Sequence, residues 1–266
     1  MRPVAHPVAA QVRIALLRAA DEYETADFLL HDPSRVMHLP SDPRDREAAA
    51  FATAALSFGA RSQFLPKAES ILSAAGGKLH SWIESGAFER AFPVSGKCFY
   101  RFYTFASMHA FFARYRAILE KSGTLGDALR QAGVDTGFGA VRKICELFAN
   151  PAARPSPVPA DASSACKRIC MFLRWMVRSG SPVDLGLWSD FIDRRTLVVP
   201  LDTHVLRQAA LLGLLPPHAP GTMRTALRLT AALAEIFPSD PLRGDFALFG
   251  AGVDVDRQRT RKESGA

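Results

Sequence analysis

Apolar positions recur along almost the whole chain at the three- and four-residue spacing of helices. Short stretches rich in Pro, Gly and Asp, which end helices, separate these runs. No sustained strand alternation is present. The pattern therefore predicts an all-α protein of nine or ten helices. The predicted helical segments are 8–30, 45–62, 67–76, 107–123, 124–133, 138–150, 166–180, 202–213, 221–237 and 241–252, with a short helical insert at 184–192.

Prolines indicate how the helices are grouped. Residues 151–164 contain four prolines and predict a linker or a rigid crossing loop. We expect a helical part over 1–150, a second over 165–252, and a disordered polar tail over 253–266. Residues 32–45 are predicted to form a loop, and TLVVP, which precedes Leu201, is predicted to be extended because it ends in proline.

Composition fits a globular chain and leaves its partner open. The 266 residues are 48% hydrophobic and 22% charged, with a net charge of +7, and no apolar run has the ~18 residues of a membrane span. The first 24 residues lack the apolar core of a signal peptide, so we expect a cytoplasmic protein. The 26 Arg and seven Lys fit either a polyanion partner or an Arg-rich genome.

The cysteines give no metal or disulfide pattern. Cys98, Cys145, Cys166 and Cys170 are too few and too scattered for a disulfide framework. Cys166 and Cys170 share a helix face, but no second pair or His cluster completes a metal site. We expect buried, reduced thiols, no metal and no cofactor.

The helix after the Pro-rich segment carries one cationic stripe. Arg174 and Arg178 each lie within about 20° of Lys167 around its axis, and the rest of the surface is mostly apolar. A stripe of this kind is typical of a solvated face, which is the prediction for Arg178. Lys167 differs, because a cation in the first turn opposes the helix dipole and its charged form is disfavoured there.

Asp202 stands where the next helix begins and fits an N-cap. Capping would leave its carboxylate at the mouth of a helix rather than inside the core. If the helix that bears Lys167 packs beside it, the amine and the carboxylate converge on one cavity. A plain cap is the alternative interpretation.

The motif Pro200-Leu201-Asp202-Thr203-His204, with Arg207, follows a helix-borne lysine and a strand-like run. This order resembles the helix-hairpin-helix DNA glycosylase superfamily, and above all its endonuclease III branch with V-D-T-H-x-x-R. LSFGARSQFLPKAE (56–69) resembles that branch's L-S-x-Q-x-T-D helix. The spacing of Asp245 and Phe249 resembles the closing helix of archaeal 8-oxoguanine glycosylases, which lines the base pocket.

A second resemblance covers almost the whole chain. SACKRICMFLRWMVRSG, VDLGLW, PLDTHVLRQAALLGLL and DPLRGDFALFG resemble a bacterial domain family of unassigned function that is usually grouped with the same superfamily. Three features depart from the glycosylase pattern. The stretch before Lys167 lacks the hairpin glycines that let backbone N–H groups approach a phosphate, and Gly59 stands in place of a duplex-probing glutamine. The cysteines of the endonuclease III iron–sulfur cluster are absent.

The resemblance implies a fold of two helical subdomains with a cleft between them, and a monomer that excises bases from DNA. Lys167 would be the nucleophile that forms a Schiff base, and Asp202 would stabilise the cationic sugar and shuttle protons. Oxidised guanine is the expected lesion. The implied base-pocket residues are Asp245, Phe249, Trp175 and His204, and the implied DNA contacts are Ser163, Ser164, Arg168, Arg61, Arg174 and Arg207. A DNA- or RNA-binding protein without catalysis, and a helical interaction module, are the alternatives.

Overall fold

The computed structural model describes residues 8–30, 32–150 and 155–249, and it is built mainly of helices. The α-helices are α1 Ala10–Tyr23, α2 Pro43–Leu56, α3 Arg61–Ala74, α4 Leu79–Glu84, α5 Phe88–Ala91, α6 Phe105–Ser122, α7 Leu125–Gln131, α8 Gly137–Phe148, α9 Lys167–Val177, α10 Thr203–Leu211, α11 Met223–Ile236 and α12 over 243–249. Short 3-10 helices cover Ala26–Leu30, Pro33–His38 and Arg194–Thr196. The predicted all-α class is confirmed in its coarse form.

Helix boundaries follow the predicted stop signals in most places and differ in a few. The helix predicted over 8–30 is wrong in its second half, because α1 ends at Tyr23 and a 3-10 turn follows. The chain breaks at 57–60 rather than before Pro66, which lies inside α3. The helical insert predicted at 184–192 is a series of turns, and the tail 253–266 lies outside the described residues.

A small hairpin is the one β element in the described part of the chain. Strands β1 (Cys98–Tyr100) and β2 (Tyr103–Thr104) pair antiparallel. They are too short for strand alternation to be visible, which explains why the sequence pattern does not predict the hairpin. Arg101, at the turn, has φ 53°, a backbone conformation that non-glycine residues adopt only at a cost.

Helix α2 crosses the centre of the molecule and is buried from Glu47 to Leu56. Its run of alanines lets neighbouring helices approach closely, and it packs against α9, α3 and α4. Glu47 accepts hydrogen bonds from the backbone N–H groups of Leu125 and Gly126 and from the indole of Trp188. Burial raises the pKa of Glu47 to about 7. This carboxyl therefore caps α7 from inside the core.

The core continues across the Pro-rich segment. Buried apolar residues of α2, α6 and α8 form one cluster with those of α9, α10 and α11. This shared core does not test the division of the chain into two helical parts at 151–164, which stays a prediction. Apart from the residues left undescribed, no helix is long and apolar enough to cross a bilayer.

Candidate active-site cleft

A cleft of about 1280 Å³ opens where the first residues of α9 and α10 meet the segments that follow α1 and α2. Its lining contains Lys167, Asp202, His204, Asp245 and Phe249. Residues from both predicted helical parts therefore form its walls. Most of the candidate site residues, which are widely separated along the chain, meet in this one cavity.

Lys167 and Asp202 lie next to each other in the lining of the cleft. The Nζ of Lys167 lies 3.4 Å from the Oδ2 of Asp202, and the side chains are 35% and 16% exposed. Lys167 is the first residue of α9, and Asp202 caps α10 by accepting from the backbone N–H of Val205 at 2.9 Å. The predicted cap is confirmed, and its second carboxylate oxygen is turned toward the amine.

The extended segment before Asp202 explains how the two groups meet. Residues 197–201 are buried, and the backbone N–H of Val199 donates to the hydroxyl of Thr230 on α11. A Cβ on Gly137 would lie only 2.6 Å from the Cα of Leu197. Glycine at this position therefore lets α8 approach the segment closely. This contact fixes the position of the segment and, with it, the position of Asp202 at its end.

The turn before Lys167 keeps a left-handed residue even though it lacks glycine. Cys166, the residue before α9, has φ 46° and ψ 36°, the region that glycine favours. The described part of the connection between α8 and α9, residues 155–166, contains no helix. This connection is therefore longer than a tight hairpin turn. The Ser163 hydroxyl donates to the Asp161 carboxylate, whereas Ser164 lines the cleft.

Arg174 and Trp175 do not have the positions that the sequence predicted. Arg174 is 4% exposed and donates to Asp245 at 2.6 Å and to Asp184 at 3.3 Å. The solvated stripe is therefore wrong at this residue. Arg174 also lines the cleft, and its contact with a DNA phosphate stays a prediction. Trp175 is fully buried, outside the cleft lining, because its side of α9 packs into the core. Its assignment to the base pocket is therefore corrected.

Arg178 is also buried rather than solvated. It is 2% exposed and pairs with Glu24, Asp184 and Asp240. These contacts surround the last turn of α9 with carboxylates. No regular spacing indicates them, because Glu24 and Asp240 come from distant parts of the chain and Asp184 lies six residues further on, beyond the end of α9.

Asp245 belongs to both the cleft and the buried ion pairs. Burial raises its pKa to about 6, Arg174 opposes that rise, and the nearby charge of Asp202 adds to it. Phe249 lies beside it, with the guanidinium of Arg61 5.2 Å from the ring centroid and Phe28 at its edge. This wall combines a carboxylate with an aromatic face.

Two predicted DNA contacts lie at the edge of the site. Arg168 is half-buried and donates to the carbonyl of Ala55 and the hydroxyl of Tyr103, so it ties α9 to α2 and to the hairpin. Arg207 is exposed on α10 and lies outside the cleft lining. Contact of either residue with DNA stays a prediction.

The hairpin places a basic and aromatic surface beside the cleft. Phe102, at the tip of the hairpin, is 56% exposed and stacks on Phe58 of the cleft wall at 4.9 Å. Arg101 lies over Gly59, where a Cβ would come within 2.6 Å of its Nη1. Only the density of aromatic residues around 99–105 hints at this surface.

Comparisons with known proteins identify one relationship. A family model described as "Protein of unknown function (DUF2400)" matches residues 32–254. No curated protein and no solved structure matches the chain. Among the described residues, no group of three or more His, Cys, Asp or Glu side chains is arranged to hold a metal ion.

Proposed function

This chain belongs to the DUF2400 family, and we propose that it is a DNA base-excision glycosylase with an associated lyase step. The observation that carries the proposal is the placement of Lys167 and Asp202. An amine and a carboxylate 3.4 Å apart share a large cleft, in the order along the chain that the glycosylase resemblance implies. A pair used only for stability has no need of such a cavity.

The first step replaces the base on the sugar with the lysine amine. Lys167 gives a proton to Asp202 and attacks the anomeric carbon of a nucleotide that has left the base stack. The C–N bond to the base breaks, and the base leaves with its electron pair and takes up a proton. Lys167 is about one-third exposed beside a carboxylate, which places Asp202 to accept that proton.

The second step uses the same two groups. Asp202 returns its proton to the ring oxygen as the bond from that oxygen to the anomeric carbon breaks, and the nitrogen of Lys167 forms a protonated Schiff base with the opened sugar. The Schiff base makes the hydrogen on the adjacent carbon acidic. Asp202, or water beside it, removes that proton, and the 3′ phosphate leaves by β-elimination. The carboxylate also stabilises the positive charge that develops on the sugar during base release.

The far wall of the cleft fits a purine. The Asp245 carboxylate accepts hydrogen bonds from the N1–H and the exocyclic amine of a guanine-type base, and Phe249 offers an aromatic face. Arg174 holds Asp245 in place from behind at 2.6 Å. Oxidised guanine is therefore the substrate that we propose, and 8-oxoguanine is its simplest form.

The hairpin tip is the proposed contact with the DNA duplex. Arg101 occupies the space above Gly59, which leaves no room there for a longer side chain, and Phe102 is exposed beside it. An apolar side chain inserted in the stack fills the gap that an extruded base leaves. We expect Phe102→Ala to slow reaction with duplex but not with single-stranded DNA. Leu39→Ala, at an exposed residue near the opposite end of α2, should change neither rate.

One observation favours a second function. The segment before α9 lacks hairpin glycines, and the Ser163 hydroxyl is used by Asp161, which weakens the expected phosphate site. A nucleic-acid-binding protein without catalysis is the alternative. It would show salt-dependent binding that survives Asp202→Asn, and it would release no free base.

Borohydride trapping tests the proposal. Borohydride reduces a Schiff base to a stable covalent adduct, so the protein should form an adduct with a duplex that contains an abasic site or 8-oxoguanine. Lys167→Gln should abolish the adduct. Lys143→Gln, which removes a surface lysine paired with Glu146, should trap as well as the unmodified protein. Absence of any adduct, or equal trapping by Lys167→Gln, would reject the lyase step.

A further inference from the structure

Three charged side chains in the lining of the cleft are almost fully buried. Asp32 is 7% exposed, and Arg174 and Asp245 are each 4% exposed. Asp32 lies in the segment between α1 and α2 and has no part in the reaction described above. A buried charge is stable only where its polar atoms find partners. The partners of each atom therefore show whether this group is complete without a ligand.

Each of the three side chains uses only part of its hydrogen-bonding capacity within the protein. The Oδ1 of Asp32 accepts from the backbone N–H of Ser34 at 3.0 Å and from its hydroxyl at 2.7 Å. Arg174 donates from Nε to Asp184 and from Nη1 to the Oδ2 of Asp245. No residue in the described part of the chain bonds to the Oδ2 of Asp32, the Nη2 of Arg174 or the Oδ1 of Asp245.

These three atoms open into the cleft. Where the chain is described, the unpartnered side-chain atoms that are sealed from solvent belong to Tyr115, Trp175 and Gln208, and none of these residues lines the cleft. The free atoms of the buried charged group are therefore not sealed, and the cleft is the space that their residues line. They offer two hydrogen-bond acceptors and one donor to a ligand.

Arg174 is the common neighbour of the two carboxylates. Burial works against its charged form, but the charges of Asp184, Asp245 and Asp32 outweigh burial and raise the pKa of Arg174. Asp32 is thus close enough to act on the guanidinium, although it makes no direct bond to it. Since the guanidinium is planar and held by two other bonds, the direction of its Nη2 is fixed.

The apolar part of the lining fits a flat ring. Phe28, Phe64 and Phe249 line the same cleft, with the rings of Phe28 and Phe249 6.0 Å apart. Arg174 is seven residues after Lys167, which is about 10 Å along α9. A base whose sugar lies at Lys167 therefore extends toward Arg174, with the edge opposite the sugar leading.

We propose that Asp32, Arg174 and Asp245 together recognise a donor–acceptor–donor edge of the base, and that Asp32 is the residue that rejects undamaged guanine. The inference rests on the proposed function. Asp245 accepts from N1–H, the Nη2 of Arg174 donates to O6, and Asp32 accepts from N7–H. Guanine carries a lone pair on N7, which the carboxylate of Asp32 repels. 8-Oxoguanine and the ring-opened formamidopyrimidine of guanine both carry N–H there, so both are expected substrates.

Nucleoside binding measures this preference without any reaction. Full-length protein with Lys167→Gln is titrated calorimetrically with 8-oxo-2′-deoxyguanosine and with 2′-deoxyguanosine at neutral pH. The oxidised nucleoside should bind at least about tenfold more tightly. Asp32→Asn keeps the bond to Ser34, because asparagine caps as aspartate does, and its amide can donate to N7. The preference should then fall below about threefold.

A matched control and a second substrate isolate the role of Asp32. Asp42→Asn alters a cap aspartate outside the cleft, which accepts from the backbone N–H of Arg44, and it should keep the full preference. With Lys167 intact, Asp32→Asn should release 8-oxoguanine at least about tenfold more slowly but trap an abasic duplex normally, because that duplex has no base.

The outcomes separate this inference from the proposed reaction. Abasic trapping that fails in the unmodified protein, with the nucleoside preference present, would reject the lyase step and leave the recognition site standing. Absence of nucleoside binding, equal affinity for the two nucleosides, or an unchanged preference in Asp32→Asn would overturn the inference. Loss of abasic trapping in Asp32→Asn would also overturn it, since Asp32 would then serve the fold.

Discussion

The two ends of α9 carry cations on one helical stripe but place them in opposite surroundings. At the first residue, Lys167 is partly exposed and lies 3.4 Å from Asp202. Toward the other end, Arg174 and Arg178 are buried among four carboxylates, with Arg174 2.6 Å from Asp245. One stripe therefore provides both a site that a substrate can reach and a fixed part of the core.

The physical difference between the two ends is access to water. Buried guanidinium groups must keep all their partners, because an uncompensated charge in the core costs several kcal/mol. A partly exposed amine gains little from its carboxylate, since water screens the pair. Stability therefore depends on the arginine end, and we assign the chemistry to the lysine end. Variants of Arg178, Asp245, Asp202 and Lys167 test this separation.

Removal of Arg178 should have the largest effect on stability. Arg178→Ala leaves Asp184 and Asp240 buried without their shared partner, so the free energy of unfolding should fall by about 3–5 kcal/mol. Denaturant unfolding measures the change. Arg195→Ala is the matched control, because it removes an arginine paired with Asp193 at the surface, and it should leave stability unchanged. Equal effects of the two variants would contradict the comparison.

Asp245 should give a pH dependence, because it is shared by the cleft and the buried pairs. Its folded pKa is about 6 against an ordinary value of 3.8, so the folded state binds more protons between these values. Stability should therefore fall as pH rises from about 4 to about 6, by at most about 3 kcal/mol. The difference in unfolding free energy between the unmodified protein and Asp245→Asn should show this slope, and a difference independent of pH would refute it.

Two substitutions of Asp202 distinguish its role as the N-cap of α10 from its proposed role in base release. Asparagine caps helices about as well as aspartate, whereas alanine loses the bond to Val205 and costs about 1 kcal/mol. Asp202→Asn should therefore keep the original unfolding free energy, and Asp202→Ala should lower it. Both should lose base release, because neither carries a carboxylate. Base release by Asp202→Asn at the original rate would mean that Asp202 serves only as a helix cap.

Lys167→Gln should have the smallest effect on stability. The lysine is partly exposed, and its pair with Asp202 is long, so the unfolding free energy should change by less than about 1 kcal/mol. Thermal and denaturant unfolding of this variant check the expectation. A loss as large as that of Arg178→Ala would mean that Lys167 serves the fold.

The sequence predicts α9 and α10, and their local signals explain why. A helical apolar period and a capping aspartate act within a few residues, so the amino-acid pattern alone places Lys167 and Asp202 at helix starts. Their convergence on one cleft is an inference from the resemblance and from the order of the motifs. The distance of 3.4 Å between them agrees with it.

The burial of Arg174 and Arg178 cannot be predicted from the sequence. Only the tertiary fold brings Glu24 and Asp240 to Arg178. Asp184 is six residues from Arg178, in a segment where the predicted helix does not form. The hairpin over 98–104 escapes prediction for another reason, because three- and two-residue strands carry no period to detect.

The position of the covalent adduct tests the central claim most directly. The protein is trapped with borohydride on a duplex that contains an abasic site, digested, and sequenced by tandem mass spectrometry. We predict that the reduced sugar remnant is found on the Nζ of Lys167 and that Asp202→Asn yields far less of it. A remnant on another lysine or on the terminal amine, with Lys167 unmodified, would contradict the assignment of this cleft.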